Sequence, residues 1–185
     1  NRGVDRVVLY VPGAYCFHPD ERGVLSTNHL RLSFGQVAPD QIAPYVRKVI
    51  AIDREPAMLE SARKRLKHWQ NVEFRQGEMA GLPLKNDEVD AAIVVLVLHH
   101  VQDPSAAVAD IARALKRGGQ LLIVDMVTHD RASYHHTMGH VHLGFDEKQT
   151  KAWAKSAGLT LTRYHRLRPE TQTSGPDMFV ATMRK

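Results

Sequence analysis

A chain of 185 residues that is 43% hydrophobic, 24% charged and only 6% aromatic has the composition of a soluble globular domain, with length for one well-buried core and not for a second full domain. Its longest apolar run, Ala91 to Leu98, is far short of the roughly 20 residues a bilayer-spanning helix needs, no secretory leader is visible, and the lone Cys16 excludes internal disulfides and cysteine-rich metal sites, so a cytoplasmic location is expected. The surplus of 25 Lys and Arg over 20 acids gives +5, yet the densest basic stretch, Arg63 to Arg65 with Lys67 and His68, lies in a helical pattern whose apolar residues point elsewhere; it reads as a solvated face, and nucleic acid is not an expected partner.

The first 40 residues hold two candidate strands, Arg6 to Val11 and His29 to Phe34, while Pro12, Pro19, Pro39 and Pro44 interrupt any long helix. The chain begins at Asn1 and not at Met, as a fragment or a trimmed chain would. From about residue 48 short β-branched runs alternate with amphipathic stretches, the pattern of parallel strands joined by crossover helices. Lys48 to Ile52 predicts a buried strand ending at Asp53. Pro56 opens a helix with Leu59, Ala62 and Leu66 on one stripe, and Val72 to Phe74 predicts a second strand, closed by Gly77. Val89 to Leu98 reads as a central strand covered on both faces. Asp103-Pro104 opens the next helix, with Val108, Ile111, Ala112 and Leu115 inward; Gly118-Gly119 is expected to close it before a strand over Gln120 to Val127. After a His-rich polar stretch from Thr128 to His142, a helix is expected from about Asp146 to Ala157, ended by Gly158. Leu159 to Leu167 and Met178 to Met183, separated by Thr173-Ser174-Gly175-Pro176, predict two strands paired antiparallel at one edge of the sheet. The expected architecture is α/β: a three-layer sandwich, Rossmann-like, around a mostly parallel sheet with an antiparallel edge strand, all in one domain over residues 1–185.

An acidic residue at the C-terminal end of a buried strand, here Asp53, sits where open parallel sheets bind their ligands, and its carboxylate could accept two hydrogen bonds from a ribose diol. The alternative is that Asp53 only caps the following helix. Gly77-Glu78-Met79 follows the next strand and Leu96 to His99 the one after, so three strand ends should open onto the same edge.

Several stretches, taken in this order and spacing, resemble the class I S-adenosylmethionine-dependent methyltransferases, specifically the small-molecule type found in quinone biosynthesis and behind metalloregulator domains. They are Val49 to Asp53 with Met58, Asn71 to Met79, Leu82-Pro83, Asp90, Leu98 to Val101, Ala114 to Gly119 before a strand ending in Asp125, and Gly139 to Phe145 with Ala157-Gly158. The resemblance covers roughly residues 42–185. It implies S-adenosylmethionine as cofactor, with Asp53 holding the ribose hydroxyls and Met58 against the adenine. Glu78 and Met79 would border the adenine amino group, and Leu96 to His99 would line the methionine and methyl side. For Met58 and Met79, plain core filling is the alternative.

Family members carry a glycine-rich loop after the first strand, where the backbone must approach the methionine without Cβ atoms in the way. Counting back from Asp53 puts that loop near Leu30 to Gln36, where only Gly35 is present, so the motif is degenerate and residues 1–40 read as divergent or truncated. Gly13, 40 residues before Asp53, is rejected as a substitute because the connection would be too long for a compact strand-helix-strand unit. His135, His136, His140 and His142 have spacings that could suit a metal, but Gly139 and the lack of nearby Cys or acidic ligands argue against it, and no metal is expected. The resemblance implies that His140 and Phe145 border the substrate pocket, with His129 or His140 available as a base; His99 is expected near the transfer point, and His100 as a packed residue. The leading reading is methyl transfer from S-adenosylmethionine to a small-molecule acceptor. The alternative is a catalytically inactive relative that keeps the sheet as an interaction or regulatory module.

Overall fold

The computed structural model describes residues 6–10, 43, 46–167 and 175–185. Strand β1, Arg6–Tyr10, pairs in parallel with both β2, Lys48–Asp53, and β4, Val89–Val95. Beyond β2 lies β3, Val72–Gln76; beyond β4 lies β5, Leu115–Met126, and then the antiparallel pair β7, Met178–Arg184, and β6, Thr160–Arg166. The order across the seven strands is β3-β2-β1-β4-β5-β7-β6. This bears out the expected α/β architecture, Rossmann-like with an antiparallel edge.

The helices follow from local signals. Helix α1, Pro56–Arg65, starts on proline at the position where a missing N–H is harmless, buries Leu59, and ends on Arg63, Lys64 and Arg65, whose charges suit the negative end of the helix dipole. Those three basic residues are exposed, as the solvated-face reading requires. Helix α2, Pro104–Ala114, is capped by the Asp103 carboxylate accepting from Ala106 N at 3.0 Å and buries Ala107, Val108, Ile111 and Ala112. Right-handed crossovers that leave the centre of a sheet in opposite directions place their helices on opposite faces, which puts α1 and α2 on the two outer layers. After the short helix α3, Ser133–Thr137, helix α4, Glu147–Ser156, begins with a reciprocal capping box between Asp146 and Gln149 and ends before Gly158, which holds φ +69°.

Three expectations need correction. The run Val89 to Leu98 is not one strand: β4 stops at Val95, Leu96 takes φ +51°, and Leu98–His100 forms a 3-10 turn. Val97 and Leu98 are still buried, so the hydrophobic signal continues past the strand's end. Gly118-Gly119 does not close a helix, because α2 ends at Ala114 and the fully buried Leu115 already belongs to β5. Gly118, at φ +80°, instead sits inside that strand, near a register shift between Val89 and Ala91 on its partner. Finally, β1 pairs directly with β2 although Tyr10 and Lys48 are far apart in sequence. Connection length is therefore no argument against a glycine shortly after β1, since closure entropy grows only slowly with loop length. Gly13, Gly35 and the run His29 to Phe34 lie outside the described residues.

Candidate active site

In a parallel sheet the register decides which strand ends share an edge. Tyr10 lies opposite both Ile52 and Val94, Asp53 opposite Gln76, and Val95 opposite Val124. The C-terminal ends of β1 to β5 therefore open onto one edge, and the crossovers diverge between β1 and β4, the switch point at which such sheets bind ligands.

Asp53 closes β2 at that edge. It is 4% exposed, accepts the Glu55 N–H at 2.9 Å and a second backbone hydrogen bond from Arg54, and has its carboxyl pushed up to about 6, chiefly by burial. A carboxylate held in such surroundings without a full set of donors is poised to receive more of them. Level with it across the sheet, Leu96 holds a positive φ, an outlier for a bulky residue and a form of strain that concentrates at ligand-binding turns. Of the other expected cofactor residues, Met58 is half-buried on α1, Glu78 is exposed, and Met79 packs into the hydrophobic core with Leu82 and Leu84. The structure thus brings Asp53 and Leu96 to the shared edge, and places Met79 in the core.

Next to this edge a second set of residues meets. Asp125, in the apolar strand β5, is fully buried and accepts from Leu98 N (3.0 Å), Met126 N (2.8 Å) and His99 Nδ1 (2.7 Å). Because a carboxylate only accepts, His99 carries a proton on Nδ1, which leaves Nε2 as its other ring nitrogen. A strap formed by residues 138–145 crosses the ends of β4 and β5. Val141 N and His142 N both donate to the His99 carbonyl, Val127 bridges Phe145, and His142 Nε2 donates to the Val101 carbonyl at 3.0 Å. Gly144 anchors the strap: it has φ +80°, and a Cβ there would sit 2.6 Å from the Val127 carbonyl carbon, so no side chain fits. The result packs His140 against His99 with ring centroids 4.3 Å apart and planes tilted by 48°, and His100 against His99 at 4.2 Å and 46°.

Burial, reinforced by the neighbouring His99, lowers His100 to about 4 and His140 to about 3. Both are therefore neutral at physiological pH. His140 is far too weakly basic to match a general base working near neutrality. Burial likewise lowers His129. His135 and His136 are exposed on α3, and His135 gives its Nδ1–H to the His140 carbonyl at 2.6 Å. Sequence reasoning missed Asp125 as a site residue and took His100 for packing; an acid inside Leu121 to Met126 was the available signal for the first.

A family profile described as a methyltransferase domain matches residues 32–123. The chain is 36% identical over 85 residues to the uncharacterised methyltransferase YcgJ of Bacillus subtilis, covering 45% of this chain and 34% of that protein. It is 24% identical over 149 residues to the ubiquinone/menaquinone biosynthesis C-methyltransferase UbiE of Hahella chejuensis, covering 65% and 60%. In both cases the chain spans less than two thirds of the curated relative's length. Among solved structures, an S-adenosylmethionine-dependent methyltransferase from Mesorhizobium loti superposes with a TM-score of 0.72 at 16% identity, over 99% of this chain and 91% of that one.

Proposed function

We propose that this chain, which matches a methyltransferase domain over residues 32–123 and is similar to S-adenosylmethionine-dependent methyltransferases, transfers the cofactor's methyl group to a small-molecule acceptor held beside the histidine cluster. The observation that carries this reading is the buried Asp53 carboxylate at the sheet's switch point, with its raised pKa. Its chemistry fits the ribose diol of the cofactor: two hydroxyl donors would relieve a carboxylate whose charge burial disfavours. Leu96 would line the methionine side, Met58 the adenine, and Glu78 the exposed rim.

When bound, S-adenosylmethionine supplies a methyl group on a sulfonium, already activated for displacement. The remaining work of the protein is to orient the acceptor, exclude water and accept a proton where the acceptor has one to lose. His99 is suited to the last task, since Asp125 fixes its tautomer with Nε2 able to accept. His140, neutral and packed against His99, would wall the acceptor's side of the pocket. No helix among the described residues is long and apolar enough to cross a membrane; we take the acceptor to be a diffusible small molecule and the working location to be the cytoplasm.

The test is calorimetric titration with S-adenosylhomocysteine. Binding is expected in the micromolar range at pH 7.5 and about tenfold weaker at pH 5, where a carboxyl that titrates near 6 is mostly protonated and accepts poorly. Absence of heat at millimolar nucleoside would overturn the reading and leave the sheet as a binding scaffold.

A further inference from the structure

We propose that His99, His100 and His140 form a binding site for one first-row divalent transition cation of the zinc class, a site separate from the nucleoside end of the pocket. One ring nitrogen of each lies within 4.8 Å of those of the other two. Two come from the 3-10 turn after β4 and the third from the strap, so the site exists only because the strap crosses the strand ends.

The surroundings of the three rings are those of metal ligands. Histidines that bind a metal usually give their other ring N–H to a carboxylate or a backbone carbonyl, which fixes the tautomer and aims the remaining lone pair. His99 gives its Nδ1–H to Asp125, itself held by two backbone N–H groups, and His100 gives its Nδ1–H to the Gly139 carbonyl at 3.1 Å. His140 is 4% exposed, and its buried Nδ1 has no hydrogen-bond partner among the described residues. A buried polar atom without a partner calls for an explanation, and a cation gives it one. With imidazole alone in the cluster, zinc, cobalt and nickel suit it better than magnesium or calcium.

The geometry needs only a modest closure. In a tetrahedral site with metal–nitrogen distances of about 2.0–2.1 Å the nitrogens sit about 3.4 Å apart, which the rings can reach by rotation from centroid separations of 4.2, 4.3 and 5.1 Å. Three protein ligands leave a fourth position for water or for an oxygen or sulfur of the acceptor. This set differs from the four histidines that their spacing brings forward. His135 and His136 are exposed, and His142 is committed to the Val101 carbonyl, so only His140 is common to both sets.

The inference is tested without nucleoside, because a cation held by His99 Nε2 and a proton accepted there exclude one another. The full chain, stripped with a chelator, is titrated with cobalt(II) at pH 7.5 and followed by visible d–d absorption and by heat. One equivalent is expected to bind in the micromolar range with the intense absorption of tetrahedral cobalt, and zinc should displace it. His140→Ala and His100→Ala should each weaken binding at least tenfold, whereas His136→Ala, on the exposed neighbouring helix, should not change it. His100 is only half-buried, so its variant keeps the test valid if removing His140 disturbs the fold. No absorption and no heat at millimolar metal, or binding that survives the double His100→Ala, His140→Ala replacement, would overturn the site. Nucleoside binding measured separately would be untouched by either result.

Discussion

Replacing Asp53 by Asn is expected to raise the thermal midpoint of the chain at pH 7.5 while weakening S-adenosylhomocysteine binding by more than tenfold. The first half follows from linkage. The folded-state pKa stands at about 6 against an ordinary 3.8, so between those values the folded chain binds more protons than the unfolded one. The carboxyl therefore favours folding below about pH 3.8, loses that contribution as pH rises through 6, and above 6 its charged form costs up to about 3 kcal/mol. Asparagine has the same shape and can still accept the Glu55 N–H through Oδ1, but carries no charge to desolvate. The stabilisation should appear as a few degrees in a calorimetric scan at pH 7.5 and vanish near pH 4. The second half follows because a neutral amide offers one acceptor oxygen where a ribose diol needs two. A variant that lost stability and kept its nucleoside affinity would show that Asp53 is only a helix-capping residue.

Asp125→Ala should be the most destabilising single replacement near the site. It strips partners from two backbone N–H groups and from His99 Nδ1 in a fully buried position, a loss of about 3–5 kcal/mol by the usual cost of breaking a buried charged network. The isosteric Asp125→Asn keeps one acceptor oxygen, so at least one donor goes unpaired and the loss falls to about 1–3 kcal/mol. This milder variant is the informative one for function. The orientation and tautomer of His99 depend on the carboxylate, so methyl-transfer turnover is expected to drop about 10–100-fold, as is usual for a residue that orients a working histidine. S-adenosylhomocysteine affinity should stay within about twofold, because Asp53 and Leu96 are unaffected. Unchanged turnover would mean that Asp125 serves folding alone.

Periodicity made the strand-helix alternation from β2 to β5 legible, and the strand-end acid Asp53 stood out for the same reason. The N-terminal part was harder. A limit on crossover length favoured residues 30–36 for the first strand end, whereas β1 lies at Arg6–Tyr10 and is joined to β2 by a long connection. Local turn signals also misled where tertiary packing prevailed: the paired glycines 118 and 119 were read as a helix stop, but Leu115 was already needed in the core. The resemblance set His99 and His140 near one transfer point, but the addition of His100 and the way the three rings meet were not legible. Spacing singled out His136 and His140 as one helical face, but α3 ends at Thr137, and His140 instead meets His99 and His100 through the strap's long-range hydrogen bonds. Met79 was open between cofactor border and core, and the structure packs it in the core.

The proposal that a nucleoside seats on Asp53 at the β1/β4 switch point is tested most directly by crystallising the chain with S-adenosylhomocysteine. The expected result is both ribose hydroxyls within hydrogen-bond distance of the Asp53 carboxylate, with the sulfur lying toward Leu96 and His99. Density for the nucleoside at any other edge of the sheet, or an Asp53 side chain still bonded only to its neighbouring backbone N–H groups at saturating ligand, would contradict it.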